Sequence, residues 1–332
     1  MKILVIRMSS IGDIVLTSPV VRSLKQAKPD AEIHFLVKPQ FVPVVQHSPY
    51  INKIHVLQKP ISATIKTLQA ENFDFVIDLH KNLRSSYICF RLGKPSSSFP
   101  KENLRKWWSV RLKKPLPIRH IVNRYAVALQ PLGVPLDGNG LDFFLAPGTE
   151  DAARTILQDH FRNLNPYAPA PVAVVLGATH GTKKWPVEHH AALINRLNLP
   201  VVVLGGKAEE PDAQALISQI QPPHLNAAGA YDLQTAAALM KQCQFVITHD
   251  TGLMHIAAAF GQKILSLWGN TLPEFGMTPY LTPYLAAEVK GLDCRPCSKI
   301  GFKQCPRGHF KCMRALQPEN VFRQMGEHGI LN

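Results

Sequence analysis

The sequence predicts an α/β protein made of two parallel-sheet domains of similar size, and three observations carry that expectation. Short β-branched runs alternate with amphipathic stretches, which is the rhythm of consecutive βαβ units. The rhythm breaks at Pro- and Gly-rich passages around residues 131–147 and 165–171 and then starts again. The chain has 332 residues, more than one ordinary core accommodates. The expected domains are 1–150 and 151–332.

Taken in order, the strands of the first half are expected at 2–7, 32–37, 53–57 and 73–79, each a short apolar run bounded by polar or turn-forming residues. Those of the second half are expected at 172–176, 201–204, 245–248 and 263–268. No short repeat or low-complexity tract interrupts the pattern, which excludes a solenoid. Open parallel sheets hold their chemistry at the carboxyl ends of the strands. The segments after Arg7, Leu79, Leu176, Leu204 and Thr248 are therefore where functional residues are expected.

Composition narrows the function classes. With 46% hydrophobic and 18% charged residues the chain can bury a core, and no apolar run approaches the ~18 residues a bilayer span needs, so disorder and a membrane-spanning protein are both excluded. Arg7 interrupts an N-terminal apolar stretch too short for a signal-peptide core, so the cytoplasm is the expected location. The six cysteines are then expected reduced. Lys and Arg number 37 against 23 Asp and Glu, a formal net charge of +14 that favours nucleic acid, an acidic membrane surface or a phosphorylated substrate. Arg105 and Lys106 immediately precede Trp107 and Trp108, followed by Arg111, Lys113, Lys114, Arg119 and Arg124. A merely solvated basic face would look the same.

Three segments carry the chemistry. After the first strand, Met8-Ser9-Ser10-Ile11-Gly12-Asp13 permits a tight turn and delivers Asp13 as a helix begins, either to cap it or to face a ligand. It lacks the Gly-x-Gly-x-x-Gly spacing of a dinucleotide fingerprint. After the strand at 245–248, His249-Asp250-Thr251-Gly252-Leu253-Met254-His255 opens a helix whose free N–H groups suit a diphosphate, with His255 on the face turned back to that terminus. Between them, Ala178-Thr179-His180-Gly181-Thr182-Lys183-Lys184-Trp185-Pro186 offers hydroxyls, two ammonium groups and an indole able to pack on a ring. Gly205-Gly206-Lys207-Ala208-Glu209-Glu210 offers carboxylates for ribose hydroxyls, a weak signal alone.

Together with Asp78-Leu79-His80-Lys81-Asn82-Leu83-Arg84-Ser85 and Lys183-Lys184-Trp185-Pro186, the first and last of these segments resemble glycosyltransferase family 9, the lipopolysaccharide heptosyltransferases, over nearly the whole chain. The resemblance implies a GT-B fold: two Rossmann-like domains facing across a cleft, the first binding acceptor and the second the nucleotide sugar. It implies inverting transfer of heptose from ADP-heptose to a lipid A-linked, phosphorylated sugar core at the cytoplasmic face of the inner membrane, with no nucleic acid partner and no cofactor required for catalysis. By position, Asp13 resembles the general base. Lys183, with Thr179 in its loop, resembles the donor-contacting segment; Asp250, Thr251, Gly252 and His255 resemble the donor signature. Glu209 or Glu210 resembles the ribose-contacting acid. His249 stands where the family more often has Asn or Ser, and Ala178 where some members carry a second Thr.

Cys294, Cys297, Cys305 and Cys312, with His309 nearby, are chemically competent for a tetrahedral structural zinc. A reduced, packed loop is the equal alternative, with catalytic or redox thiols as lesser ones. Two other functions stay open on sequence alone: a family member using another nucleotide sugar or acceptor, and a basic zinc-knuckle nucleic-acid-binding protein. The latter leaves Asp13 and the Asp250–His255 segment unexplained.

Overall fold

The computed structural model describes residues 1–162 and 169–331, so 165–168 of the second Pro-rich passage lie outside the described residues. The chain forms two compact units. One comprises Met1–Lys101 and Arg119–Phe144; the other comprises Glu102–Ile118 and Leu145–Asn332. The basic, Trp-containing segment Glu102–Ile118 thus packs with the second unit.

The first unit is a five-stranded parallel sheet of order β3-β2-β1-β4-β5, formed by β1 (Lys2–Ile6), β2 (Glu32–Val37), β3 (Lys53–Val56), β4 (Phe75–Asp78) and β5 (Ser96–Ser98). Its helices are α1 (Ile11–Val15), α2 (Ser18–Ala27), α3 (Ile61–Ala70) and α4 (Leu83–Leu92). Leu4, Ile6, Leu36 and Val76 on one sheet face pack with Ile65 and Leu68 of α3 and Ile88 and Leu92 of α4. Ile3 and Val5, which point the other way, are equally buried. A strand covered on both faces reads as a continuous apolar run, and this is why β1 was legible. Because β1 lies between β2 and β4, the sheet's switch point falls between β1 and β4, so the segments after those two strands meet there.

Helix α5 (Asn103–Leu112) belongs to the second unit, and α6 (Ile121–Tyr125) to the first. The second unit carries a six-stranded parallel sheet of order β11-β10-β9-β6-β7-β8, from β6 (Val172–Val175), β7 (Val201–Leu204), β8 (His224–Asn226), β9 (Phe245–His249), β10 (Lys263–Trp268) and β11 (Tyr284–Glu288). Around it run α7 (Thr149–Arg162), α8 (Val187–Leu197), α9 (Glu210–Ile217), α10 (Leu233–Lys241), α11 (Gly252–Ala259), the short α12 (Lys311–Arg314) and α13 (Pro318–Glu327). Val174, Val203, Ile247 and Leu265 build one core with Leu193, Leu216, Met313 and Val321. The switch point here lies between β6 and β9 and brings together the Lys183 loop and the start of α11.

These are the two parallel-sheet α/β domains that the sequence predicts. No helix among the described residues is long and apolar enough to cross a membrane.

Candidate active site

Each unit presents one cluster of chemical groups at the carboxyl ends of its strands. In the first, Asp13 lies in the first turn of α1. The Ser10 hydroxyl and backbone N–H donate to its Oδ2 at 3.0 and 3.5 Å, and the Arg7 guanidinium pairs with the same oxygen at 2.7 Å. Arg7 is itself fixed, donating to the carbonyls of Leu79 at 2.6 Å and Ser9 at 2.8 Å. Burial by itself would push the Asp13 pKa up, but the Arg7 charge and the hydrogen bonds from Ser10 and Arg7 outweigh it and hold the carboxyl below its usual range. Asp13 is thus a cap and also an ionised, partly exposed carboxylate.

The Asp78–Ser85 segment shapes the neighbouring turn. Asp78 Oδ1 accepts from the backbone N–H groups of His80 and Lys81 at 2.9 and 2.8 Å, and Oδ2 from the Ser85 hydroxyl at 2.8 Å. Asn82 caps α4 by accepting from Ser85 N–H at 2.9 Å. His80 is pushed down to about 4, first by burial and then by the charge of Arg7, so a neutral imidazole stands in the electrostatic neighbourhood of Asp13.

In the second unit, Lys183 Nζ pairs with Asp250 Oδ2 at 2.5 Å, and the Thr271 hydroxyl donates to the same oxygen at 3.2 Å. Thr251 caps α11, its hydroxyl accepting from Leu253 N–H at 3.2 Å. His255 is buried one turn further on, followed by the buried Ala257 and Ala258. An ion pair, a threonine cap and the positive end of an eight-residue helix therefore share one corner of the sheet.

The Lys183 loop is gripped on several sides. Trp185 N–H donates to His249 Nε2 at 2.9 Å, and His190 Nε2 lies 3.3 Å from the same nitrogen. His249 is pushed down to about 3, mainly by burial and then by the Lys184 charge, so it stays neutral and serves as an acceptor. Thr182 exchanges hydrogen bonds with the Phe302 backbone at 2.8–3.1 Å. A Cβ on Gly181 would stand 2.3 Å from the Lys303 carbonyl oxygen, and one on Gly269 would stand 2.6 Å from that of Thr182, so both contacts require glycine.

Several expectations change on contact with this geometry. The Trp185 indole does not offer a face to a ligand. It is 3% exposed, donates to the Leu316 carbonyl at 2.9 Å and belongs to the core. Of the two adjacent lysines only Lys183 reaches Asp250, for Lys184 is tied to Asp212 at 2.9 Å and Glu209 at 3.3 Å. Glu209 turns inward, accepting from Gly206 N–H at 3.1 Å, whereas the Glu210 carboxylate lies over Gly229 at the start of α9. Thr179 is exposed in the loop after β6. Arg124, grouped with the basic surface on sequence, is buried and donates to the carbonyls of Lys101 at 2.8 Å and Arg119 at 3.1 Å.

The six cysteines are free thiols. Cys294 and Cys312 are buried, Cys312 within the hydrophobic core, and the Cys297 thiol donates to the Cys294 carbonyl at 2.9 Å. Among the described residues no three of the four C-terminal sulfurs lie within 4.8 Å of one another. Arg7, Thr271, His190 and the ligand role of His249 toward the Trp185 amide escaped the sequence reading. For Arg7 and His249 the signal was a polar residue at the end of an otherwise apolar strand; His190, inside α8, and Thr271, in the loop after β10, gave none.

The family model described as glycosyltransferase family 9 (heptosyltransferase) matches residues 61–307. Among curated proteins, lipopolysaccharide heptosyltransferase 2 of Salmonella typhimurium is 27% identical over 358 residues, covering 100% of this chain and 99% of its own. The Escherichia coli protein of the same name is 27% identical over 98% of this chain and 97% of its own. Among solved structures, a family 9 glycosyl transferase from Veillonella parvula superposes with a TM-score of 0.78 at 22% identity, over 99% of this chain and 97% of the other. The E. coli heptosyltransferase WaaC with ADP-2-deoxy-2-fluoro heptose gives 0.68 at 20%, over 99% and 100%.

Proposed function

The chain belongs to glycosyltransferase family 9, the heptosyltransferase family, and on that premise we propose that it moves heptose from ADP-heptose to a lipid A-linked sugar of the lipopolysaccharide core, inverting the anomeric configuration. The observation that carries this reading is the Lys183–Asp250 pair beside the N-terminus of α11. A departing nucleoside diphosphate gains negative charge as the glycosidic bond breaks. The Lys183 ammonium and the first-turn N–H groups of α11 meet that charge without reorganising. A divalent ion is then not needed for the reaction. Asp13, ionised and fixed by Arg7, takes the proton of the acceptor hydroxyl as it attacks the oxocarbenium-like carbon.

The names of the relatives support heptose as the sugar, and membership of the family argues against the nucleic-acid reading. Glu209, held against Gly205 and Gly206 after β7, is the better of the two candidates for the ribose hydroxyls. In the first unit a cavity of about 870 Å³, lined by Lys38, Lys59 and Arg84 with Val56, Leu57 and Ile61, supports a phosphorylated saccharide acceptor. Donor identity is tested by nucleotide competition. ADP displaces the donor at concentrations where UDP and GDP do not, and equal displacement by UDP would point to another nucleotide sugar.

A peripheral contact with the anionic inner face of the membrane is supported by α5, where Leu104, Trp107, Trp108 and Leu112 are exposed among Arg105, Lys106 and Arg111. The protein should co-sediment with vesicles containing anionic phospholipid. Replacing Trp107 and Trp108 by alanine should release it, and sedimentation unchanged by that pair of substitutions would remove the contact.

A structural zinc at Cys294, Cys297, Cys305 and Cys312 is supported by the donor chemistry of four neighbouring thiols, but their sulfurs would have to converge on binding. Protein purified without added metal is expected to carry about one zinc per chain by elemental analysis, lost with stability on strong chelation. Zinc at trace level, with stability indifferent to chelator, leaves a packed thiol loop.

A further inference from the structure

A second cluster lies in the first unit, where His34 of β2, His55 of β3 and Glu71 at the end of α3 come together. His34 and His55 are 0% and 5% exposed, and their facing nitrogens, Nδ1 of His34 and Nε2 of His55, are 2.9 Å apart. Glu71, at the end of α3, places Oε2 4.0 Å from His34 Nδ1 and Oε1 3.9 Å from His55 Nε2. This is the one group of three ligand atoms among the described residues within 4.8 Å of one another. A tetrahedral centre with bonds near 2.0–2.1 Å has ligand-to-ligand edges of about 3.3 Å; one Glu71 oxygen lies within 4.8 Å of both nitrogens, so shifts of about 1.5 Å or less would close the triangle on an ion. Behind it, Glu32 Oε1 lies 2.8 Å from His34 Nε2. A carboxylate there accepts the hydrogen bond of Nε2–H and so fixes the tautomer whose Nδ1 carries the lone pair, the arrangement that orients metal-bound histidines.

We propose that His34, His55 and Glu71 form a binding site for a divalent transition-metal ion, oriented by Glu32 and separate from the transfer reaction. Imidazole and carboxylate donors suit zinc and cobalt. Lys53 and Lys2 supply the positive charge, contacting Glu71 at 2.5 and 3.1 Å. The Lys53 side chain is 55% exposed and can leave for solvent when an ion arrives. That exchange separates the proposal from a purely structural ion-pair network. A structural network weakens when Lys53 is removed, whereas a metal site loses a competitor and tightens.

The test is cobalt(II) titration of the full-length protein, read by its d–d absorption, because thiolate-to-cobalt charge transfer reports any ion held by the cysteines. One ion should bind with d–d absorption and no thiolate band. Glu32→Gln should weaken that binding by about 10–100-fold, Glu71→Gln by at least as much, and Lys53→Ala should tighten it several-fold. Lys53 and Glu32 are on the surface, so these two variants report even if altering a buried histidine prevents folding. Absence of cobalt binding other than with a thiolate band overturns the proposal, as does equal affinity in the unmodified protein, Glu32→Gln and Glu71→Gln.

Discussion

An Asp13→Asn variant folds and keeps its affinity for ADP, yet transfers sugar about 10²–10⁴-fold more slowly, the usual worth of a positioned general base. Arg7 retains its bonds to the Leu79 and Ser9 carbonyls, so the turn survives the loss of one carboxylate. The pH profile gives a finer check. Because the Asp13 pKa is lowered, the base form persists as pH falls through the ordinary aspartate value of about 3.9, and the acid limb of kcat/KM lies below it. Arg7→Met removes the charge that opposes burial, so the limb should move up toward neutral. Near-normal turnover by Asp13→Asn would leave Asp13 as a helix cap only.

Lys183→Ala should weaken ADP binding by about 10–150-fold, the equivalent of about 1.5–3 kcal/mol for a charge-assisted bond. The upper end is expected, because the substitution also leaves the Asp250 carboxylate, 2.5 Å from the ammonium it loses, facing the diphosphate without a cation. Adding Asp250→Asn to that variant should recover part of the loss, a coupling that a double-mutant cycle measures. His255→Ala should cost less, since it removes an ordinary hydrogen bond and not an ammonium charge. Calorimetry showing equal ADP binding by the unmodified protein and both single variants would place the donor elsewhere.

All the strands legible in the sequence except the edge strand β3 are central strands buried on both faces. Val172–Val175 and Val201–Leu204 are unbroken aliphatic runs that only a sheet interior accommodates. Of the four edge strands only β3 was legible, and the others were missed for the converse reason. Ser96–Ser98 is three serines held by pairing with β4, and His224–Asn226 is a single apolar residue between two polar ones. Asp250 and Thr251 stood out because a strand-to-helix junction that holds an anion needs small and capping residues at fixed spacing. Residue chemistry alone did not separate Lys183 from Lys184, for two identical neighbours differ only in the direction the backbone turns them; only the family resemblance singled out Lys183. Trp185 was misread because an indole beside lysines looks the same whether it stacks on a ligand or fills a core. His34, His55 and Glu71 are far apart in the chain and meet only through the β2–β3 register, in which Leu36 pairs with His55, and through the end of α3.

Transfer of heptose with inversion by a unit proposed to hold the donor diphosphate through Lys183 and α11 is tested most directly by product analysis with a panel of ADP-, UDP- and GDP-sugars in the presence of EDTA. A lipid A-linked acceptor is expected to gain the mass of one heptose from ADP-heptose alone, with ADP released in equal amount and the new anomeric centre inverted. Transfer from a UDP- or GDP-sugar instead, retention of configuration, or activity abolished by EDTA and restored by magnesium would contradict it.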